Sequence, residues 1–206
     1  HINILFAKDL NEYKMDYPVT PAGADKALAT AVAEDAFRIA NHPGWPDQNS
    51  TLSDYVAERM ENGTLEAVEV FNHKEFYPLA IDHANRFGLA MVGATDSHCP
   101  TYYLYDQDKG HRDMTLVFAK DLSDDSLKEA LRAGRTIAWA NDILAGRPDL
   151  LHQFIHACIK VEFVKETAYS VHFRLFNDSA VPYVLEGDNP QDRLSLPAGG
   201  YAEAKR

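Results

Sequence analysis

Asp96 and His98 stand two apart in the run Gly93-Ala94-Thr95-Asp96-Ser97-His98. In an extended segment residues i and i+2 project to the same side. This spacing therefore aims a carboxylate and an imidazole into one cavity. Such a pair suits a borderline divalent cation, which accepts both nitrogen and oxygen ligands; the competing reading is a surface turn with a capping Asp. His42 precedes Pro43-Gly44. The proline biases His42 toward extended backbone, and the glycine allows a ligand to approach closely. A rigid ligand residue and a plain loop histidine both fit that context. Asn72-His73 can touch a substrate or simply form a solvated loop. Arg112, at the end of the long polar and aromatic segment Pro100–Arg112, can grip a phosphoryl group through its planar fork or point to solvent. His83 reads as a helix-surface or core residue. His152 and His156 lie four apart, a spacing that can bind metal; with no acid nearby as in a His-Glu-x-x-His pattern, packing is the favoured reading.

The elements that must position these residues follow from apolar periodicity. Ile2–Phe6 reads as a strand, Ala24–Phe37 as a helix and Arg38–Asn41 as a brief extended run. Thr51-Leu52-Ser53-Asp54 fits a capping box ahead of a helix to Met60. Leu65–Phe71 and Leu89–Ala94 read as strands on either side of a helix over Pro78–Phe87. Thr115–Ala119 and Arg135–Ala140 read as strands flanking a helix over Ser123–Ala133, and Asp149–Cys158 as a further helix. Such alternation implies a mostly parallel sheet, open or closed into a barrel, with its chemistry in the loops after the strands. His42, Asn72-His73 and Asp96-x-His98 each follow a predicted strand. Beyond Ile159 the pattern changes. Lys160–Lys165, Ser170–Phe176 and Pro182–Leu185 read as strands, with turns at Asn177-Asp178-Ser179 and Gly187-Asp188-Asn189-Pro190. This looks like part of an antiparallel β-sandwich.

With 31 acidic and 20 basic residues among 206, the net charge of −11 argues against a broad nucleic-acid footprint. No apolar run reaches the ~18–20 residues needed to span a bilayer. Two cysteines, Cys99 and Cys158, are too few for a disulfide framework. The chain opens at His1 inside a strand-like run, without Met and without a signal-peptide pattern, which predicts that it is part of a longer polypeptide. Compartment and oligomeric state are not legible.

Taken in order, Ala40-Asn41-His42-Pro43-Gly44, Val68-Glu69-Val70-Phe71-Asn72 and Gly93-Ala94-Thr95-Asp96-Ser97-His98 resemble the PHP (polymerase and histidinol phosphatase) superfamily of metal-dependent phosphoesterases. His1-Ile2-Asn3-Ile4 resembles the family strand led by a ligand histidine, and Met114–Asn141 the last barrel segments. The resemblance implies an α/β fold: a distorted (β/α)7 TIM-like barrel over residues 1–157, lacking its N-terminal part, followed over 158–206 by a partial β-sandwich. It implies His1 and His42 on one metal, with Asp96 and His98 on the others of a two- or three-metal cluster of Mn, Zn or Fe. Asp96 and His98 would be catalytic, and a small phosphorylated molecule the substrate. The family's His-x-His, its Thr-Asp-His-like motif and its bridging Glu have no counterpart in this sequence. Their place in the order lies before His1, so Glu69 is not assigned the bridging role. The alternatives are a non-catalytic metal-binding or scaffold fragment and, less well supported, a barrel hydrolase acting on amides.

Overall fold

A computed structural model of the chain describes residues 1–13, 18–106, 110–140, 142–187 and 193–205. They form two units, His1–Arg147 and Pro148–Arg206. In the first, strand β1 (Ile2–Leu5) is followed by α1 (Pro21–Ala33), β2 (Phe37–Ala40), α2 (Asp54–Glu61), β3 (Ala67–Asn72) and the short β4 (Glu75–Phe76). Then come α3 (Pro78–Phe87), β5 (Ala90–Ala94), β6 (Met114–Val117), α4 (Asp124–Arg132), β7 (Thr136–Ala140) and β8 (Ile143–Gly146).

Local chemistry explains the helix ends. The Thr20 hydroxyl accepts the Gly23 N–H ahead of α1, whose first residue is Pro21, a position where the missing N–H costs nothing. The helix stops at Ala33, four residues short of the predicted end, because Asp35 turns left-handed (φ 60°) and releases Phe37 into β2. Ser53, not Thr51, caps α2 by accepting the Val56 N–H. Gly88, at φ 68°, closes α3 in the left-handed conformation that glycine adopts without a Cβ penalty.

Strands β2, β3 and β5 pair in parallel, with β3 in the centre. The rest is antiparallel: β1 on β2, β4 on β3, and the meander β6–β7–β8. The expected mostly parallel sheet is thus confined to three strands. The reason for β6 and β7 is geometric: α4 returns the chain to the end of β6 that it left, where the Phe118 N–H donates to the Arg135 carbonyl. Among the described residues the pairings make separate sheets and no closed ring of strands. The Thr115 side chain ties β6 to β5, taking the Gly93 N–H and donating to the Gly93 carbonyl, both at 3.0 Å. A Cβ on Gly93 would come within 2.8 Å of the Met114 carbonyl oxygen, so this approach needs glycine.

Every residue of β3 is buried. One cluster packs Val68, Val70 and Phe71 with Leu28, Met60 and Met91; another packs Ala67 with Phe37, Ile39, Val92 and Leu131. Pairing of β3 with β5 slips by one residue between Glu69 and Phe71. Such a bulge bends the strand and re-aims its side chains.

The second unit begins with α5 (Pro148–Cys158), which runs directly into β9 (Ile159–Thr167). After it come β10 (Ser170–Asn177), β11 (Tyr183–Glu186), β12 (Arg193–Leu196) and β13 (Tyr201–Lys205). They form an antiparallel sheet, β13–β10–β9, and a two-stranded ladder, β11–β12. The turn expected at Asn177-Asp178-Ser179 is present: the Asn177 side-chain oxygen accepts the Ser179 N–H and hydroxyl while its amide donates to the Val181 and Pro197 carbonyls. Positions 188–190 of the second expected turn lie outside the described residues. No helix among the described residues is long and apolar enough to cross a membrane.

Candidate functional site

Because β2, β3 and β5 run in the same direction, their carboxyl ends share one edge. His42 stands two residues beyond β2, His73 directly after β3, and Asp96 two residues beyond β5. All three have left-handed backbones, with φ of 28°, 50° and 46°. A non-glycine residue there carries strain on the order of 1–3 kcal/mol, which persists only where surrounding contacts over-determine it. Three such residues at one strand edge make that edge the place to look for chemistry.

A cavity of about 380 Å³ opens there, walled by His1, His42, Asn72, His73, Asp96 and His98 together with Trp45, Glu75 and Tyr77. A larger cavity of about 560 Å³ shares His1, but its walls are mostly apolar, with Ile2, Ile4, Val19, Leu28 and Val56, and no carboxylate lines it among the described residues. The smaller one has the donor groups.

Two donor pairs face it. His1 Nδ1 and His42 Nε2 share a hydrogen bond at 2.8 Å with their rings perpendicular. Asp96 Oδ1 lies 3.7 Å from His98 Nε2, and the His98 side chain is 89 % exposed. Behind them lies Glu69. It is 1 % exposed, and its Oε2 accepts the His42 N–H at 2.6 Å and the Asn72 side-chain amide at 2.8 Å. Burial pushes its carboxyl up to about 7; the two hydrogen bonds pull the other way, and the Asp96 charge adds to the rise. In a regular strand, residues three apart face opposite sides. The slip in β3 is what lets Glu69 and Asn72 meet. Glu69 therefore positions His42 and Asn72 from behind.

Three local expectations are corrected. His42 is not extended before Pro43: its N–H is drawn to Glu69 and its carbonyl accepts the Trp45 N–H, closing a turn at positive φ. Asp96 and His98 do approach each other, but through a left-handed turn at Asp96 instead of the alternation of an extended segment. Gly44 leaves room for the buried ring of Tyr77, not for a ligand: a Cβ there would lie 2.3 Å from the Tyr77 ring. Gly44→Ala is accordingly expected to destabilise the protein by ~1–3 kcal/mol through overpacking. A urea midpoint equal to wild type would contradict that contact.

The other candidates are placed as follows. His1, Asn72 and His73 line the cavity; Arg112 is exposed and outside its lining, with its carbonyl bonded to the His111 ring. His83 donates from Nε2 to the Ser50 carbonyl oxygen at 2.8 Å. His152 and His156 are exposed on α5, so the packing favoured for them is not found. Sequence reasoning missed Trp45, Glu75 and Tyr77. Only the Pro-Gly-Trp context of the first gave any signal, since the others arrive through β4, a two-residue strand.

Nitrogen and carboxylate donors of this kind fit a divalent cation of the zinc or manganese type. Their number falls short: among the described residues no three His, Cys, Asp or Glu side chains stand close enough together to hold a metal ion. Each pair by itself offers two donors, fewer than the three or four protein ligands of a complete site.

This arrangement, a mixed α/β fold with paired metal-type donors at the carboxyl edge of parallel strands, defines the class of site. Comparison with known proteins bears on the fold and the general kind of protein. A solved structure of a two-domain protein containing a predicted PHP-like metal-dependent phosphoesterase, from Bacteroides vulgatus, is similar to this chain with a TM-score of 0.83 and 28% sequence identity. The match covers 100% of this chain and 61% of that one, so the chain spans about three fifths of its relative's length. The resemblance to the PHP superfamily is thus structural as well as sequential. No family model and no curated protein matches the chain.

Proposed function

We propose that this chain forms part of a metal-dependent phosphoesterase of the PHP type, built on a distorted (β/α)7 TIM-like barrel and hydrolysing small phosphomonoesters or phosphodiesters. The observation that carries this reading is the meeting of His1, His42, Asp96 and His98 at one cavity. These four would hold divalent cations, Mn, Zn or Fe, two or three in a complete site. When bound, such cations polarise phosphoryl oxygens and bring a bound water's pKa to near ~7. The chain's own groups do the rest. The Asp96 carboxylate brings the negative charge that attracts dications. His98, on the exposed side of the cavity, would hold a cation through one ring nitrogen and donate a hydrogen bond through the N–H of the other. The Asn72 amide, held by Glu69, and the His73 ring would be donors to a phosphoryl group, whereas Arg112 lies outside the cavity's lining. The cavity's volume falls within the ~300–1,000 Å³ usual for small-molecule sites, and net acidity is no obstacle where bound cations invert the local field.

One observation favours a second reading, a non-catalytic metal-binding scaffold: the lack of a three-donor group among the described residues. Assays of the 206-residue chain with p-nitrophenyl phosphate and bis(p-nitrophenyl) phosphate across graded Mn²⁺, with metal content measured alongside, separate the two. We expect slow, Mn²⁺-dependent turnover that disappears in Asp96→Asn. Metal binding with no Asp96-dependent turnover selects the scaffold. Robust turnover would contradict the incompleteness of the donor set.

A further inference from the structure

His152 and His156 belong to neither the cavity nor a packed core. Their four-residue spacing sets them on one face of α5. Their Nε2 atoms are 3.2 Å apart, with ring centroids separated by 4.3 Å and planes at 58°. Both side chains are exposed.

That separation matters because imidazole nitrogens sit ~2.0–2.1 Å from a bound zinc-like ion. An ion equidistant from two nitrogens 3.2 Å apart then subtends an angle of about 100–106°. This lies close to the tetrahedral angle and within reach of two adjacent corners of a square plane, the geometries of Zn²⁺ and Cu²⁺. The separation of the two nitrogens already suits such an ion. We infer that His152 and His156 form a surface site for a first-row transition dication, held by two imidazoles with water filling its other positions. By the Irving–Williams order Cu²⁺ binds most tightly and Zn²⁺ less so. Hard cations such as Mg²⁺ and Ca²⁺, which want oxygen, are excluded. The helix supplies the affinity: once one imidazole has bound, the second is already at hand.

The test is calorimetric titration of the full chain with Cu²⁺, paired with electron paramagnetic resonance to count coordinating nitrogens. It is done in wild type and in a His1→Gln/His42→Gln/His73→Gln/His98→Gln background that removes every imidazole of the cavity from the signal. In that background we expect one Cu²⁺ with two nitrogen ligands. Adding His152→Gln or His156→Gln should weaken it by about 100-fold or more, the loss expected when a tethered second contact is removed. Cu²⁺ should also raise the thermal midpoint of the parent but not of the variants, because only a site formed by the folded helix stabilises the native state. Glutamine is a good helix former, so α5 should survive, and its retention is checked by circular dichroism. Unchanged Cu²⁺ affinity in both variants, or a spectrum with a single nitrogen, would overturn the site.

Discussion

Asp96→Asn should lower metal affinity, and any phosphoester turnover, by more than the ~10–100-fold typical of residues that only support a ligand. The substitution is unusually clean here. Asp96 has φ 46°, and asparagine is among the few residues that accept this region readily. Shape and backbone are kept, and only the charge that draws a dication to the cavity is removed. Without metal, the thermal midpoint of the variant should match wild type. With metal, wild type should gain stability by mass action and the variant should gain much less. Elemental analysis beside turnover measurements checks both statements. Unchanged metal content and unchanged turnover would make Asp96 a turn residue and remove the main support for the phosphoesterase reading.

Glu69→Leu should cost the fold ~2–4 kcal/mol. The carboxylate is buried in the middle of β3 and accepts two donors, the His42 N–H and the Asn72 amide. Leucine has a similar volume but leaves both donors unpaired, at ~1–3 kcal/mol each. Losing the desolvation cost of the carboxylate offsets part of this. Glu69→Gln keeps one acceptor oxygen and should fall between the two. Urea unfolding of the three proteins gives the order directly. If the leucine variant equals wild type in stability, Glu69 does not hold the His42 turn. Loss of metal binding in the leucine variant, with Asp96 intact, would show that His42 must be held from behind.

Much of the site was legible in the chain itself. His42, Asn72-His73 and Asp96-x-His98 each follow an apolar run, and parallel strands bring their carboxyl ends to one edge whatever the details of packing. The helix over Pro78–Phe87 was equally legible, since Pro78 at its start and Gly88 after its end are local signals. Strand direction was not. A strand–helix–strand alternation does not say whether the helix carries the chain to the far end of the sheet or back to the same one, and α4 does the latter. Strands β4, β8 and β12 were missed because each has four residues or fewer, and β13 because the inner face of its alternation carries only alanines, a weak apolar signal.

By residue type and spacing alone, the sequence determined which groups could bind a cation and that they stand on consecutive loops. Three things were settled only by the tertiary structure: the left-handed turns at His42 and Asp96, the slip in β3 that lets Glu69 reach Asn72, and the Tyr77 ring that occupies the space beside Gly44. Donor chemistry belongs to a side chain and is written in its identity. The direction in which it points depends on contacts between residues as far apart as His42 and Glu69, and no local pattern encodes those.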